Sequence, residues 1–441
     1  MSLKTVIVSR LAGYWTGQKR LQAARVRAER RRVAERMPHR IDWFHDASDP
    51  YSHLLAQLLP QLAARYDVEI VPHLVGPPAD WAAPERDQLD AYARVDATRL
   101  AARARLVFTD PGTQPTPESR AEAEAVLAAL NVDDPRGERF LAIAASVGTA
   151  TWSGTAIDPT LRRATSTESA AVRATGDARR AALGHYLGAT LHYGGEWYWG
   201  IDRLHYLEDR LASLGAGRPG APDGPLYAQP VVPAPGTKPT AHQPGLVLDW
   251  YPSFRSPYTH IVADRIKALA DAYGAELRLR FVLPMVMRNL PVPPMKRRYI
   301  TLDVAREAHR LGIAFGRVAD PVGRPVERGY SLLPWAIAQG RGHEFATAFL
   351  RGVFAEGIDA GSDSGLRRIV EAAGLDWATA QPLLGNDDWR AEAEANRSDM
   401  TALGLWGVPS FRVGDVAVWG QDRLWVIEAE LQRRVEASRK A

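Results

Sequence analysis

Eight residues recur along this chain at one constant spacing. Asp42, Pro50, Tyr51, His53, Pro84, Tyr92, Asp96 and Arg99 reappear as Asp249, Pro257, Tyr258, His260, Pro291, Tyr299, Asp303 and Arg306, always 207 residues later. The match resumes at Leu183-Gly184 with Leu403-Gly404, and at Trp199-Gly200 and Asp202-Arg203-Leu204 with Trp419-Gly420 and Asp422-Arg423-Leu424, now 220 residues apart. The second copy therefore carries 13 more residues in its middle. Two long copies imply duplicated globular domains, because solenoid repeats are short and numerous. Each half must close around its own core, and function is to be sought where the halves differ.

The spacing of apolar and turn-forming residues gives each half the same element order. Strands at 41–44 and 68–74 flank a helix at 50–66, and strands at 246–251 and 275–281 flank a helix at 257–273. Long helical stretches follow, over about 86–180 and 296–404. In the second copy two short strands, 409–413 and 416–419, meet at Gly414-Asp415 and lead into a closing helix over 421–434. Strand-helix-strand, helical insertion, then hairpin and helix is the order of a thioredoxin-like fold with an inserted helical subdomain, here expected twice in tandem as an α/β protein. The expected divisions are a basic helical segment at 1–39, a first domain at 40–214, a linker at 215–244 and a second domain at 245–441. The stretch 215–245 holds eight prolines and six glycines, as an extended linker would.

Charge is unevenly placed. Residues 1–40 hold eleven Lys or Arg against Glu29 and Glu35, a net +9, so the remaining 401 residues sum to −5. The basic character belongs to that segment, and a nucleic-acid role for the folded body gains no support from it. Leu3, Val6, Ile7, Leu11, Tyr14 and Trp15 fall at helical spacing, with Pro38 as the stop. Such a helix has two readings, a docking or oligomerisation helix with a solvated basic face, or a cationic helix lying on an anionic membrane surface. Val6-Ile7-Val8 before Arg10 is too short for a secretory apolar core, and a cytoplasmic protein is expected. The chain has no cysteine, which excludes disulfides, a thiolate nucleophile and Cys-based zinc sites. No metal site is expected.

Ser256-Pro257-Tyr258 lies between a strand and a helix N-terminus, where the helix dipole and unpaired N–H groups favour an anion. A serine hydroxyl there can cap the helix, or donate to a thiolate and lower its pKa. With this turn go Asp249-Trp250-Tyr251, Asn289-x-Pro291, Lys296-x-x-Tyr299, Asp303-x-x-Arg306, Gly407-Val408-Pro409-Ser410-Phe411 and Trp419-Gly420-Gln421-Asp422-Arg423-Leu424, in that order. The set resembles the 2-hydroxychromene-2-carboxylate isomerase and kappa-class glutathione transferase family, of DsbA-like thioredoxin fold, over about 190 residues. The resemblance implies glutathione as cofactor, Ser256 at its sulfur, Pro409 as a cis-proline with Val408 main chain pairing the cysteinyl part, and Gln421 and Asp422 at the γ-glutamyl end. It places Asn289, Lys296 and Tyr299 beside a pocket for a conjugated carbonyl or aromatic substrate. Two residues also have plainer readings, Asp422 as a helix cap and Lys296 as a solvated charge. His260 stands where the family usually has an aromatic, and packing explains it more simply than catalysis.

At the matching positions the first copy reads Asp49 for Ser256, Ala82 for Asn289, Leu89 for Lys296, Ala189 for Pro409 and Ile201 for Gln421. A carboxylate at Asp49 would repel a thiolate, so this copy is expected to be structural or regulatory. The second copy is expected to be a glutathione-dependent isomerase, with a glutathione transferase and a noncatalytic binding protein as alternatives. A homo-oligomer is also compatible with the sequence.

Overall fold

The computed structural model of the chain describes residues 3–440, with side chains described from Ile7 onward. Two helices, α1 (Leu3–Thr16) and α2 (Gln18–Ala34), precede β1 (His39–His45), α3 (Pro50–Arg65) and β2 (Val68–Leu74). Four helices follow, α4 (Arg86–Ala104), α5 (Pro117–Asp133), α6 (Glu138–Ser153) and α7 (Ser166–Leu183), then β3 (Thr190–Tyr193), β4 (Glu196–Trp199) and α8 (Leu204–Ser213). The second half begins with β5 (Val247–Tyr251), α9 (Pro257–Tyr273) and β6 (Glu276–Leu279). Its helical insertion comprises α10 (Pro294–Leu311), α11 (Arg324–Ala338), α12 (Gly342–Arg351), α13 (Asp363–Ala372), α14 (Trp377–Ala380) and α15 (Trp389–Ala402), before β7 (Ser410–Val413), β8 (Val416–Trp419) and α16 (Leu424–Ser438).

Each half builds a four-stranded mixed sheet, β2-β1-β3-β4 in the first and β6-β5-β7-β8 in the second. The first pair of each is parallel and the other two antiparallel. Register follows the sequence offsets: Ile41 faces Ile70 as Leu248 faces Leu277, Asp42 faces His192 as Asp249 faces Arg412, and Thr190 faces Trp199 as Ser410 faces Trp419. The N-terminal half is thus compatible with a second domain of the same plan. Trp43 and Trp250, both fully buried, anchor two separate apolar cores made with the flanking helices. Each tryptophan lies on a strand with a neighbour on either side, where its ring is enclosed on all sides.

The long helix of each opening is bounded by its own chemistry. Ser256 caps α9 by accepting from the Thr259 N–H, Pro257 occupies its first turn, and Gly274 ends it in the left-handed region. Asp49 caps α3 through the Tyr51 and Ser52 N–H groups, followed by Pro50.

The chain forms two compact units, residues 22–229 and residues 1–21 with 230–441. The break between the units falls at residue 21, inside the basic segment 1–39 that the sequence set off as a division of its own. Helix α1 belongs to the second unit because small side chains let it approach closely: Ser9 and Thr16, two turns apart, are buried. Gly357 faces Ser9 and Gly316 faces Thr16, both at positive φ, and a Cβ on either would lie 2.1 or 2.2 Å from a hydroxyl of α1. The apolar stripe read from the sequence points the other way, with Ile7, Leu11, Tyr14 and Trp15 at least half exposed. Most of α2 belongs to the first unit, where Arg25 forms a two-pronged pair with Glu196 at 2.7 and 2.8 Å. The Pro/Gly-rich stretch packs along its way, Tyr227 into the first core and Val232 into the second. Among the described residues no helix is long and apolar enough to cross a membrane.

Replacing Gly357 with valine should release α1, since the branched side chain meets Ser9 and the positive φ disfavours it. Limited proteolysis of the full chain should then cut within residues 3–21 first; an unchanged cleavage pattern would show that α1 is held elsewhere.

Candidate functional site

The turn between β5 and α9 is gripped by the helical insertion. Phe254, fully buried, stacks on Tyr330 of α11 at 4.7 Å and on Phe349 of α12 at 4.2 Å. The Tyr330 hydroxyl accepts from the Phe254 N–H at 3.1 Å and donates to the Val282 carbonyl at 2.7 Å. With one residue of the turn fixed on both its ring and its backbone, Ser256 arrives at the positive end of α9. Its Oγ accepts from the Thr259 N–H at 3.2 Å and directs its proton at the Val408 carbonyl, 3.5 Å away. Val408-Pro409 is a cis peptide, and the Pro409 carbonyl accepts from the Gly420 N–H at 2.8 Å. Residues 152 apart in sequence thus border one half-buried space.

Other sequence-predicted residues fall around it unequally. Lys296 is buried on α10, its ammonium 5.7 Å from the centre of the Trp406 ring, which in turn packs against Trp419. Burial pulls Lys296 down to about 8, so it loses its charge near neutral pH more readily than a solvated lysine. Tyr299 is half-buried one turn further along α10. Asn289 is exposed and in the left-handed region, where it ends the short helical turn Met285–Arg288. Gln421 is buried and its carboxamide is engaged inward, by Arg265 at 2.7 Å and Glu307 at 3.1 Å, and not directed at the space beside Ser256. Asp422, half-buried, accepts from the same carboxamide. Sequence reasoning missed Arg265 and Glu307; the signal was available, since the first copy has leucine at both positions, Leu58 and Leu100.

Residues common to both copies hold the fold. His260 Nε2 bonds the Ala314 carbonyl at 2.9 Å and its ring stacks with Phe315 and Phe354, while His53 bonds the Val107 carbonyl at 3.0 Å. Burial lowers the pKa of both imidazoles, as for packed neutral rings. Tyr258 donates to Asp303 at 2.8 Å as Tyr51 donates to Asp96 at 2.9 Å. Each partner pair obeys the offset of 207 residues, so these repeated residues tie the opening helix to the insertion and leave the chemistry to others.

Residues 247–432 match the family model of the DSBA-like thioredoxin domain. This stretch is a DsbA-like thioredoxin domain. The chain is similar to the 2-hydroxychromene-2-carboxylate isomerase of Pseudomonas putida, 22% identical over 196 residues that cover 43% of this chain and 95% of that protein. The enzyme of the same name from Sphingobium xenophagum is 25% identical over 197 residues, 42% of this chain and 97% of its own. A solved structure of a 2-hydroxychromene-2-carboxylate isomerase aligns with a TM-score of 0.38 at 22% identity, covering 44% of this chain and 98% of its own. Disulfide chemistry does not come with the DsbA-like domain here, because the chain has no cysteine.

Where the DsbA-like domain has its serine turn, the N-terminal half has filled the space with its own side chains. Asp49 accepts from Tyr51 N–H at 3.2 Å, Ser52 N–H at 3.1 Å and Ser52 Oγ at 2.8 Å. The Ser52 hydroxyl also accepts from the Ala189 N–H at 2.8 Å, engaging the backbone at the position matching Pro409. A Cβ on Gly188 would lie 2.8 Å from that of Asp46 and 3.4 Å from Asp49 Oδ2, so the backbone passes too close to these side chains to carry one of its own.

Desolvation, with the Asp46 carboxylate close by, pushes Asp49 up to about 7 from an ordinary 3.8. The folded state then holds a proton between these values that the unfolded chain has lost, and stability falls as pH rises through that window. Asp49→Asn should stabilise the first unit at pH 8 and leave it nearly unchanged at pH 4, read by thermal melting; an equal effect at both pH values would contradict a protonated Asp49.

Proposed function

We propose that the DsbA-like domain is a glutathione-dependent isomerase acting on a conjugated carbonyl compound, and that the N-terminal half is a noncatalytic, degenerate copy of the same domain. The observation that carries this reading is the double use of Ser256. Its lone pair caps α9, while its proton has only a long bond to the Val408 carbonyl. A thiolate in that space would compete well for the proton, since hydrogen bonds to charged acceptors are the stronger ones. Capping and thiolate stabilisation are therefore compatible in one hydroxyl. The positive end of α9 acts in the same direction.

Bound glutathione would supply a sulfur nucleophile that adds reversibly to the substrate and leaves again, without net redox change. The protein's part is to orient it and to stabilise its charge. Val408, beside the cis peptide, offers main-chain groups of the kind that pair an extended peptide. Asp422 carries the charge for the amino end of the tripeptide, and Trp406 and Trp419 give an apolar wall for an aromatic or conjugated ring. Lys296 at that wall suits the carboxylate named in the relatives' substrate.

Titration calorimetry of glutathione into the full chain should give one site per chain; two equivalent sites would end the asymmetry between the halves. Ser256→Ala should raise the pKa of the bound thiol, followed by ultraviolet thiolate absorbance, and cut turnover roughly ten- to thousandfold, as expected for losing one electrostatic donor. Loss of the cap alone would instead cost about 1 kcal/mol of stability and leave thiol ionisation unchanged.

Lys296 gives a separate pH signature. Its charge is present below about 8 and lost above it, so affinity for a carboxylate-bearing substrate should fall as pH rises through that value. In Lys296→Met the affinity should be low and flat across the same range; a wild-type slope retained in the variant would remove Lys296 from the binding site.

A further inference from the structure

Beneath the turn that carries Asp422 the second unit encloses a polar network. Arg265 on α9 donates from Nη1 to Gln421 Oε1 at 2.7 Å and from Nε to the Val232 carbonyl at 3.1 Å. Gln421 Nε2 donates to Glu307 Oε2 at 3.1 Å, and Arg310 donates to the same oxygen at 3.0 Å. Glu307 is wholly buried and Gln421 is 2% exposed. Desolvation is heavy enough to pull the Arg265 guanidinium down to about 10.

At the three matching places the first unit has Leu58, Leu100 and Ile201, exposed by 3%, 1% and 2% and packed in one apolar core. The same sheet plan therefore closes over these positions without any polar group. Enclosing ionised side chains is costly, and replacing such a network by apolar residues of similar volume is often neutral or stabilising. Stability does not account for the network. What hydrogen bonds add is direction: both ends of the Gln421 carboxamide are gripped, which fixes the plane of a side chain in the very turn that presents Asp422. An isoleucine at that position packs without a directional bond, and in the first unit Asp49 and Ser52 bond each other where the second has Ser256.

We propose that Arg265, Glu307 and Gln421 are positioning residues that hold the 420–423 turn so that Asp422 meets the amino end of the tripeptide. The assignment of the ligand rests on the glutathione reading above; the holding of the turn does not. It also gives Gln421 a role through Asp422 in place of direct contact.

The test imports the first unit's residues into the full chain, as Arg265→Leu with Glu307→Leu and Gln421→Ile. Melting should occur at or above the wild-type temperature. Hydrogen exchange at the Arg423 amide, which donates to the Gly420 carbonyl at 3.1 Å, should accelerate about tenfold or more, the scale of one lost hydrogen bond. Glutathione should bind at least about tenfold more weakly while the ionisation of the bound thiol stays at the wild-type value, because Ser256 is untouched. Unchanged exchange at Arg423 overturns the proposal, as does a loss of affinity accompanied by an equal shift in thiol ionisation. Should wild type itself fail to bind glutathione, the ligand reading falls and exchange at Arg423 still decides whether the network holds the turn. Should the triple variant fail to fold, Arg265→Met keeps the volume and removes one grip; wild-type exchange in that variant overturns the proposal equally.

Discussion

The antiparallel pairing of Tyr251 with Ser410 is the contact on which the candidate site depends. It brings the end of β5 beside the start of β7, so that the serine turn and the cis-proline segment border one space although 152 residues separate Ser256 from Val408. Everything between them is helical insertion apart from α9 and β6, and its length is weakly constrained, because the entropy of closing a loop grows only slowly with the number of residues in it. The 13 residues by which the second copy exceeds the first could thus be added without disturbing the sheet, and the registers of the two sheets remain the same. The insertion also returns something to the turn: Tyr330 and Phe349 fix Phe254, so the part of the chain free to vary in length immobilises the part that is not.

The two halves differ in how they use polar groups inside the same plan. Bonds that hold the insertion to the opening helix are duplicated, as in Tyr51 with Asp96 and Tyr258 with Asp303. Those around the serine turn are not. In the first half Asp49, Ser52 and Ala189 satisfy one another, while Ser256 keeps a hydroxyl proton weakly engaged. A polar group satisfied internally contributes to the fold, and one held short of satisfaction is available to a ligand.

Much of this was legible in the sequence because residues that recur at a constant spacing supply their own control. Strand-helix-strand openings emerged within a few residues of their limits, and Pro409, absent at Ala189, marked the cis bond. What escaped was three-dimensional. Helix α1 has an apolar stripe at helical spacing, and its burial was reasonable to expect, yet contact is made by Ser9 and Thr16 against glycines at 316 and 357. Close approach of backbones leaves no periodic signal, only small residues. Gln421 was read as a ligand contact because its position matched; its carboxamide turns inward because Arg265 and Glu307, far off in sequence, outbid the solvent. The cis bond at Val232-Pro233 likewise lay in a stretch whose composition suggested only an extended linker.

The seat of α1 fixes an order of events in the making of the protein. Ser9 and Thr16 leave the ribosome before the glycines they lie against, which come roughly 300 residues later, about 15–60 s at ordinary rates of translation. For that interval the helix has no docking surface, and within it the first unit, which ends at residue 229, is completed and can close. The second unit is therefore assembled from two segments of chain that flank the first in sequence, and α1 joins the later one only after Gly357 has emerged.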